Sequence, residues 1–169
     1  MKKEYPYHMH VKVISRGKGH NALAAAAYRS GSKIIENIEE NDNDAKERKP
    51  VKAIAHDYSR RHGVMSSFIE TPRNAPKWTQ SRQELWNRVE ASEKRKDAQL
   101  AREVIVSLPD VDIYDHLSAE KREERRKEFY EKILKRYVRE NFTSSGMIAD
   151  VALHEPADKN DDRHYHAHI

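Results

Sequence analysis

The amino-acid sequence predicts an α+β fold, in which one mostly antiparallel sheet has helices on its apolar face and leaves a polar face open. Short segments in which apolar and polar residues alternate are typical of half-buried strands. Other segments repeat apolar residues at intervals of three and four, as amphipathic helices do. The two kinds of segment follow one another without an internal repeat along 169 residues, a length that suits a single domain.

The first half of the chain contains a strand, a helix and a charged segment. Residues 7–15 (YHMHVKVIS) alternate and predict a strand with an apolar back and a polar, basic front. The turn RGKGHN follows, and Asn21 is a suitable N-cap for the short, alanine-rich helix ALAAAAYRS, which Gly31 ends. Residues 36–50 contain almost no apolar residues and predict a mobile loop or an exposed helix.

The second half alternates helices with strands and ends on two neighbouring strands. Because a turn-rich loop (EPADKNDDR) joins the last two strands, we expect them to pair antiparallel. The predicted elements are a strand at 63–72, a helix at 81–99, a strand at 101–109, a helix at 118–142, a strand at 147–154 and a last strand, HYHAHI, at 164–169.

Composition narrows the class of protein. The chain is very polar, with 36% charged residues, a net charge of +4 and a pI of about 9.2, which permits a polyanionic partner. It has no cysteine, which excludes disulfides and thiolate metal sites and leaves histidine and carboxylate as the available metal ligands. No apolar run reaches membrane-spanning length and the N-terminal segment is not a signal peptide, so we expect a cytoplasmic protein without a membrane segment.

Histidines cluster at the end of the chain. His164, His166 and His168 alternate, so a strand would place all three on one face. His154 ends the preceding strand on its outward face, and antiparallel pairing would bring it close to His166 and His168. Three converging imidazoles with open coordination positions are typical of a metal site, in which His164, at the strand start, is the less suitable ligand. The alternative is a tag remnant or a histidine-rich edge, although a tag would be an uninterrupted run.

Three tyrosines are candidate nucleophiles. Tyr28 ends the alanine-rich helix, where simple packing is the commoner role of a tyrosine. A phenol has a pKa of about 10 and therefore needs a proton acceptor or a nearby cation in order to attack at neutral pH. Arg29 and a bound metal would supply that positive charge. Tyr58 and Tyr7 are rival candidates.

One acidic residue and several basic stretches have two interpretations. Glu103 lies early in an otherwise apolar strand, where it is either an edge carboxylate or a proton acceptor or partner for a histidine. The stretches RRHG, EKRKDAQLAR and KREERRK are mixed in sign and are typical of solvated helix faces, so they support nucleic-acid binding only weakly.

Three segments together resemble the MobA/MobL-type plasmid mobilisation relaxases of the HUH endonuclease superfamily. The segment YHMHVKVISRGKGHNALAAAAYRSGSKI is similar to the opening of that family, and LWNRVEASEKRKDAQLAREVIVSLP to its middle segment. The pair GMIADVALHE and DRHYHAHI is similar to its metal motif. The resemblance covers nearly the whole chain and implies an HUH-type sandwich.

The resemblance also assigns roles to individual residues. It implies that Tyr28 is the nucleophile and that His154, His166 and His168 are the metal ligands. Glu103 matches an acidic residue near the family's active site, which implies a catalytic role for it together with Tyr28.

The sequence departs from the family at one place. His164 and Tyr165 stand where many relatives have Asn-Pro, which keeps the aligned ligands but adds a fourth histidine.

The function implied is site- and strand-specific cleavage of DNA at a plasmid transfer origin. Tyr28 would form a 5′-phosphotyrosine link and so start conjugative transfer or mobilisation. The implied cofactor is a divalent cation, Mn²⁺ or Mg²⁺ by resemblance, whereas three imidazoles suit Zn²⁺ or Ni²⁺ by ligand softness. The DNA-binding candidates on and beside the open sheet face are His8, His10, Lys12 and Arg29.

The resemblance further implies partners and a domain organisation. The expected partners are single-stranded DNA at a transfer origin, accessory relaxosome proteins and type IV secretion coupling machinery. Residues 1–169 would form a single relaxase domain, the N-terminal part of a longer protein. The alternatives are a rolling-circle replication initiator, a metal-dependent nuclease that uses water, and a non-catalytic nucleic-acid-binding module.

Overall fold

The computed structural model describes residues 8–38, 52–109, 114, 116–156 and 164–169. Short 3₁₀ turns lie before α1, before α2 and after α3. The helices and strands within these ranges are β1 (Met9–Ser15), α1 (Ala22–Ser30), β2 (Lys33–Ile38), β3 (Lys52–Asp57), β4 (Val64–Glu70), α2 (Arg82–Ser92), β5 (Gln99–Ser107), α3 (Ala119–Asn141), β6 (Ala149–His154) and β7 (His166–His168).

A five-stranded sheet forms the centre of the molecule. Its strand order is β1-β5-β7-β6-β4, and every neighbouring pair is antiparallel. The α+β class, the antiparallel sheet and the pairing of the last two strands are therefore confirmed. β7 is the shortest of the five strands, yet it lies in the middle, between β5 and β6.

The long helix α3 covers one face of this sheet with apolar side chains. Tyr130, Leu134 and Val138 recur at intervals of four and are almost fully buried. They pack in one cluster with Val151 and Leu153 of β6. Burying a leucine or valine side chain stabilises a fold by about 1.5–3 kcal/mol, so this cluster is the main apolar core.

The helices α1 and α2 lie on the opposite face, which differs from the expected arrangement with helices on one face only. Trp86 and Arg82 of α2 donate hydrogen bonds to the carboxylate of Asp150, at 2.8 Å and 2.8–3.0 Å. Asp150 alternates with Val151 along β6 and therefore points away from α3. The buried alanines of α1, such as Ala26 and Ala27, allow that helix to pack closely beside α2.

The helix α1 begins and ends as the sequence predicts. The Asn21 side chain accepts a hydrogen bond from the backbone N–H of Ala24 at 2.8 Å, which is an N-cap. Gly31 follows the helix in the left-handed conformation with φ of 60°, which favours glycine.

The helix α2 ends at Ser92, seven residues before the predicted end at 99. A distant side chain explains this difference. The Arg16 guanidinium donates to the backbone carbonyls of Glu90 and Glu93, and so satisfies acceptors at the end of the helix.

A two-stranded ribbon, β2–β3, was not expected from the sequence. Its strands pair antiparallel from Lys33 opposite Asp57 to Ile38 opposite Lys52. The side chains of Gln83 and Asn87 on α2 bind backbone groups along β2, which fixes the ribbon to that helix. Most of the predicted charged loop, residues 39–50, lies outside the described residues.

No helix among the described residues is long and apolar enough to cross a membrane.

Candidate active site

Three histidines converge on the sheet face opposite α3. His154 of β6 lies directly across from His166 of β7, and Ala152 lies across from His168. One candidate ligand atom from each of His154, His166 and His168 lies within 4.8 Å of the other two. The ring centroids are 4.8–5.3 Å apart. The alternation read from the sequence therefore produces the expected histidine triad, and His164 is not part of it.

Two histidines of the triad donate their outer ring nitrogen to an oxygen. Nδ1 of His166 lies 2.9 Å from the backbone carbonyl of His164, and Nδ1 of His168 lies 2.6 Å from Oε1 of Glu103. Because a carbonyl or an ionised carboxylate only accepts, each Nδ1 carries the proton. In the neutral form of each ring, Nε2 is then the nitrogen that carries the lone pair and can bind a metal.

The third histidine is oriented through its other nitrogen. Nε2 of His154 lies 2.6 Å from the backbone carbonyl of Arg29 and donates its proton to it. Nδ1 is therefore the nitrogen whose lone pair can bind a metal. Burial lowers the pKa of His154 to about 4, a direction that the positive charge of Arg61 reinforces and the bond to Arg29 opposes. His154 is consequently neutral at pH 7, as a metal ligand must be.

Glu103 connects β5 to the triad and to α1. Its side chain is buried, and one carboxylate oxygen accepts from both His168 and the Arg29 guanidinium. Burial raises the pKa of Glu103, but the hydrogen bonds and charges of His168 and Arg29 outweigh it and lower the pKa to about 2. Glu103 is thus an ionised partner of a triad histidine at neutral pH.

The donor set fits a divalent cation. Each of the three imidazoles has one nitrogen held by an oxygen acceptor, as metal-binding histidines in proteins commonly do, and the candidate ligand atoms of the three rings lie within 4.8 Å of one another. Three nitrogen ligands leave coordination positions for oxygen atoms of a substrate. Ligand softness favours Zn²⁺, Ni²⁺ or similar ions, and phosphate oxygens in the open positions also suit Mn²⁺ or Mg²⁺.

Tyr28 lies in the last turn of α1, beside the residue that joins this helix to the triad. The next residue, Arg29, accepts from His154 through its carbonyl and pairs with Glu103 through its guanidinium. Tyr28 is 49% exposed, which leaves its ring accessible. The ring of the rival Tyr58 packs edge-on against the ring of Tyr28, with 5.3 Å between the ring centroids, so the two candidate nucleophiles are in contact. The other rival, Tyr7, lies outside the described residues.

The predicted DNA-binding residues fall into two groups. His8, His10 and Lys12 are exposed on or next to the edge strand β1. Lys12 pairs across from Glu103, which places it on the sheet face of the triad. The guanidinium of Arg29, in contrast, already pairs with Glu103.

A cleft of about 300 Å³ lies between β1 and α1. It reaches the buried side chain of Glu103. Its lining includes Lys12, His20, Asn21, Arg29 and Glu103.

Sequence analysis did not single out Arg61. Its Cζ atom lies 3.7 Å from the centroid of the Tyr28 ring, and Nη1 donates to the Tyr28 carbonyl. The only signal was the basic turn RRHG, which is also typical of a solvated surface.

The fold and the site together define a class: an α+β domain whose antiparallel sheet carries three histidines that could hold a metal ion. Its exposed Tyr28 directly precedes Arg29, whose carbonyl accepts from one of these histidines. The family model described as "MobA/MobL family" matches residues 20–169. The chain belongs to the MobA/MobL family, which confirms the resemblance read from its motifs.

The chain is similar to mobilisation and conjugal transfer proteins. It is 38% identical over 150 residues to "Mobilization protein MobL" of Acidithiobacillus ferridurans, which covers 89% of this chain and 32% of that protein. It is 31% identical over 158 residues to "Conjugal transfer protein TraA" of Rhizobium radiobacter, which covers 88% of this chain and 12% of that protein. The chain thus spans a third or less of the length of these two relatives.

The fold also resembles a solved structure. A structure described as "Molecular Basis of Vancomycin Resistance Transfer in Staphylococcus aureus" superimposes with a TM-score of 0.61 at 30% sequence identity. The match covers 97% of this chain and 68% of the other.

Proposed function

We propose that this chain is a relaxase domain that cleaves one DNA strand at a plasmid transfer origin and stays linked to it through Tyr28. The observation that carries the proposal is the position of Tyr28 next to Arg29, which is bonded to both His154 and Glu103. An exposed phenol and a histidine triad are thereby held by the same helix end. The names of the relatives, which refer to mobilisation and conjugal transfer, support this assignment.

The proposed reaction is a transesterification. The phenol oxygen of Tyr28 attacks the phosphorus atom and loses its proton, and the bond from phosphorus to the 3′ oxygen breaks. The products are a 5′-phosphotyrosine and a strand with a free 3′-hydroxyl, which takes up a proton. His154, His166 and His168 would hold a divalent ion, which would supply positive charge at the scissile phosphate. Because the new bond is again a phosphodiester, the 3′-hydroxyl can later attack it and reseal the strand.

Glu103 has two candidate roles in this reaction. A pKa of about 2 makes its carboxylate a weak proton acceptor near neutral pH. Its bond to Nδ1 of His168 supports the other role, in which Glu103 orients a metal ligand and keeps the correct tautomer. We assign that orienting role to Glu103.

The cleft between β1 and α1 is the proposed path for single-stranded DNA. It leads to Glu103, and Lys12 and His20 line it. The exposed His8 and His10 extend this basic surface along β1. Cationic grooves of this kind follow a nucleic-acid backbone, and their affinity falls with rising salt. Because the guanidinium of Arg29 already pairs with Glu103, Arg29 would hold that carboxylate in place rather than contact the DNA directly.

The wider setting is also part of the proposal. We favour Mn²⁺ or Mg²⁺ as the working ion, because both accept the phosphate oxygens that would fill the open positions. Accessory relaxosome proteins and the type IV secretion coupling machinery are the proposed partners, and the cytoplasm, where a plasmid lies, is the proposed location.

A covalent-adduct assay tests the proposal. The protein is incubated with Mn²⁺ and single-stranded oligonucleotides that tile the origin region of its plasmid, and the products are separated on denaturing gels. We expect a DNA-linked protein band that Tyr28→Phe abolishes. Tyr58→Phe is the matched control, because Tyr58 is a neighbouring phenol that is also exposed, at 36% against 49% for Tyr28, and this variant should retain the band.

Other outcomes identify other functions. Nicked DNA without a linked protein, unchanged in Tyr28→Phe, would show that water is the nucleophile and that the protein is a hydrolase. A band lost only in Tyr58→Phe would move the nucleophile to Tyr58. Cleavage at a replication origin and not at a transfer origin would identify a rolling-circle initiator.

A further inference from the structure

The ring of Tyr28 is held on two sides by the turn that follows β3. The guanidinium of Arg61 stacks on its face, with 3.7 Å from Cζ to the ring centroid. Tyr58 meets its edge at 5.3 Å with an interplanar angle of 88°. Arg61 also donates from Nη1 to the backbone carbonyl of Tyr28. One arginine therefore contacts both the side chain and the backbone of the proposed nucleophile.

This turn is attached to α1 and to β6. The N–H of Tyr58 donates to the carbonyl of Ser32, just after α1, at 3.1 Å. The N–H of Arg61 donates to the carbonyl of Tyr58 at 2.9 Å. At the end of the turn, the carbonyl of Gly63 accepts from Glu155, the residue after His154, at 3.0 Å. The turn thus connects the helix of Tyr28 to the strand of a triad histidine.

The positive charge of Arg61 is not committed to another partner. Within the part of the chain that the structure describes, Arg61 forms no ion pair with a carboxylate. Arg29, by comparison, pairs with the buried Glu103. A guanidinium stacked on a tyrosine is attracted by the electron-rich face of the ring.

We propose that Arg61 is a positioning residue for the cleavage reaction, because it holds the Tyr28 ring beside the histidine triad in the orientation for attack. The inference rests on the proposed role of Tyr28 as the nucleophile. Half of the Tyr28 side chain is exposed, so without Arg61 the ring would rotate among several staggered positions. A nucleophile that is displaced by about 1 Å can lose about 100-fold in rate.

Single-turnover kinetics test this role. We expect Arg61→Met, which keeps an unbranched side chain but removes the guanidinium with its charge and its donors, to slow adduct formation by about 100-fold. Its affinities for the oligonucleotide and for Mn²⁺ should stay within about three-fold of the wild type, because positioning acts on the chemical step. Arg61→Lys retains the cation but not the planar stack, and its rate of adduct formation should lie between those of the wild type and Arg61→Met. Arg60→Met is the matched control in the same exposed turn and should react at the wild-type rate.

NMR of the protein labelled at tyrosine rings supplies a readout that does not depend on catalysis. The Tyr28 signal is assigned by its loss in Tyr28→Phe. Arg61→Met should shift the Tyr28 and Tyr58 signals and leave the tyrosines of α3 unchanged, with the thermal unfolding midpoint retained. A Tyr28 signal that does not respond to Arg61→Met would overturn the proposal.

The two proposals can fail separately. If Tyr28→Phe still forms the adduct, the assignment of the nucleophile is wrong, whereas the NMR result still shows whether Arg61 holds the ring. If Tyr28→Phe is inactive but Arg61→Met cleaves at the wild-type rate, only the role of Arg61 is wrong. A large loss of DNA affinity in Arg61→Met with an unchanged rate at saturation would make Arg61 a DNA-binding residue instead.

Discussion

The two faces of the five-stranded sheet are built from the same strands but have opposite character. Towards α3, β6 and β7 present Val151, Leu153 and Ala167, all buried in the apolar core. Towards α1 and α2, the intervening positions carry Asp150 and the three histidines, which form hydrogen bonds. The apolar face holds the fold together, and the polar face carries the candidate site.

The contrast between the two faces explains how the pairing register of β6 and β7 is fixed. Side chains alternate along a strand, so a shift of one residue in the pairing of β6 and β7 would turn His166 and His168 towards α3. Burying Leu153 and Ala167 against α3 opposes that shift. The apolar face therefore selects the register that brings the histidines together.

The largest expected effect comes from removing a ligand on the polar face. His166→Ala leaves two imidazoles, and we expect strand cleavage to fall by about 1,000-fold or more, since a bound ion supplies several kcal/mol of transition-state stabilisation. Isothermal titration with Mn²⁺ measures the loss of metal binding, and the adduct gel measures the loss of strand cleavage. His164→Ala is the control, because it keeps the backbone carbonyl that orients His166. Equal losses in both variants would argue against a three-histidine site.

The next effect comes from the apolar face. Leu153→Ala opens a cavity under α3 and should lower the free energy of unfolding by about 3 kcal/mol. Urea denaturation measures this, and the cleavage rate per folded molecule should be unchanged. Met147→Ala is the control. The Met147 side chain is 47% exposed and lies before β6 begins, so its loss should have little effect.

A smaller loss of stability is expected where α2 is attached to the polar face. Asp150→Ala leaves the Arg82 guanidinium and the Trp86 N–H without their acceptor. An unsatisfied buried donor costs about 1–3 kcal/mol, and we expect a decrease of about 2 kcal/mol in unfolding free energy. If amide hydrogen exchange accelerates throughout α3 as much as in α2, the two faces are not independent.

The smallest expected effect is on metal affinity through Glu103. A glutamine there keeps an acceptor oxygen for His168 and Arg29 but removes the negative charge that strengthens both bonds. We expect Glu103→Gln to weaken Mn²⁺ binding by about 10–100-fold, as loss of a partner of a metal ligand does. Glu70→Gln, which alters an ion pair with Arg139 on the protein surface, is the control. Unchanged Mn²⁺ affinity in Glu103→Gln would return Glu103 to a proton-transfer or purely structural role.

Local patterns predicted much of the fold. The bounds of α1 match the segment ALAAAAYRS, and α3 begins and ends within one residue of the prediction. The ribbon β2–β3 was missed because its edge is completed by side chains from α2, which are about 50 residues away in sequence. The end of α2 was misplaced because a distant arginine, Arg16, satisfies its last carbonyls. That residues 1–169 form one domain of a longer protein stays a prediction.

The spacing of the candidate ligands follows from the local sequence alone. Alternation in the strands places His154, His166 and His168 on one face, and the motifs around them identify the family, because both depend only on neighbours along the chain.

The surroundings of these residues depend instead on how distant segments pack. Arg29 and Glu103 provide the acceptors for His154 and His168, and Arg61 stacks on Tyr28. These three residues come from separate segments of the chain. Such contacts form when the helix α1, the strand β5 and the turn after β3 pack together. No local periodicity encodes them, because hydrogen bonds and ring stacking depend on distances in space and not on separation along the chain.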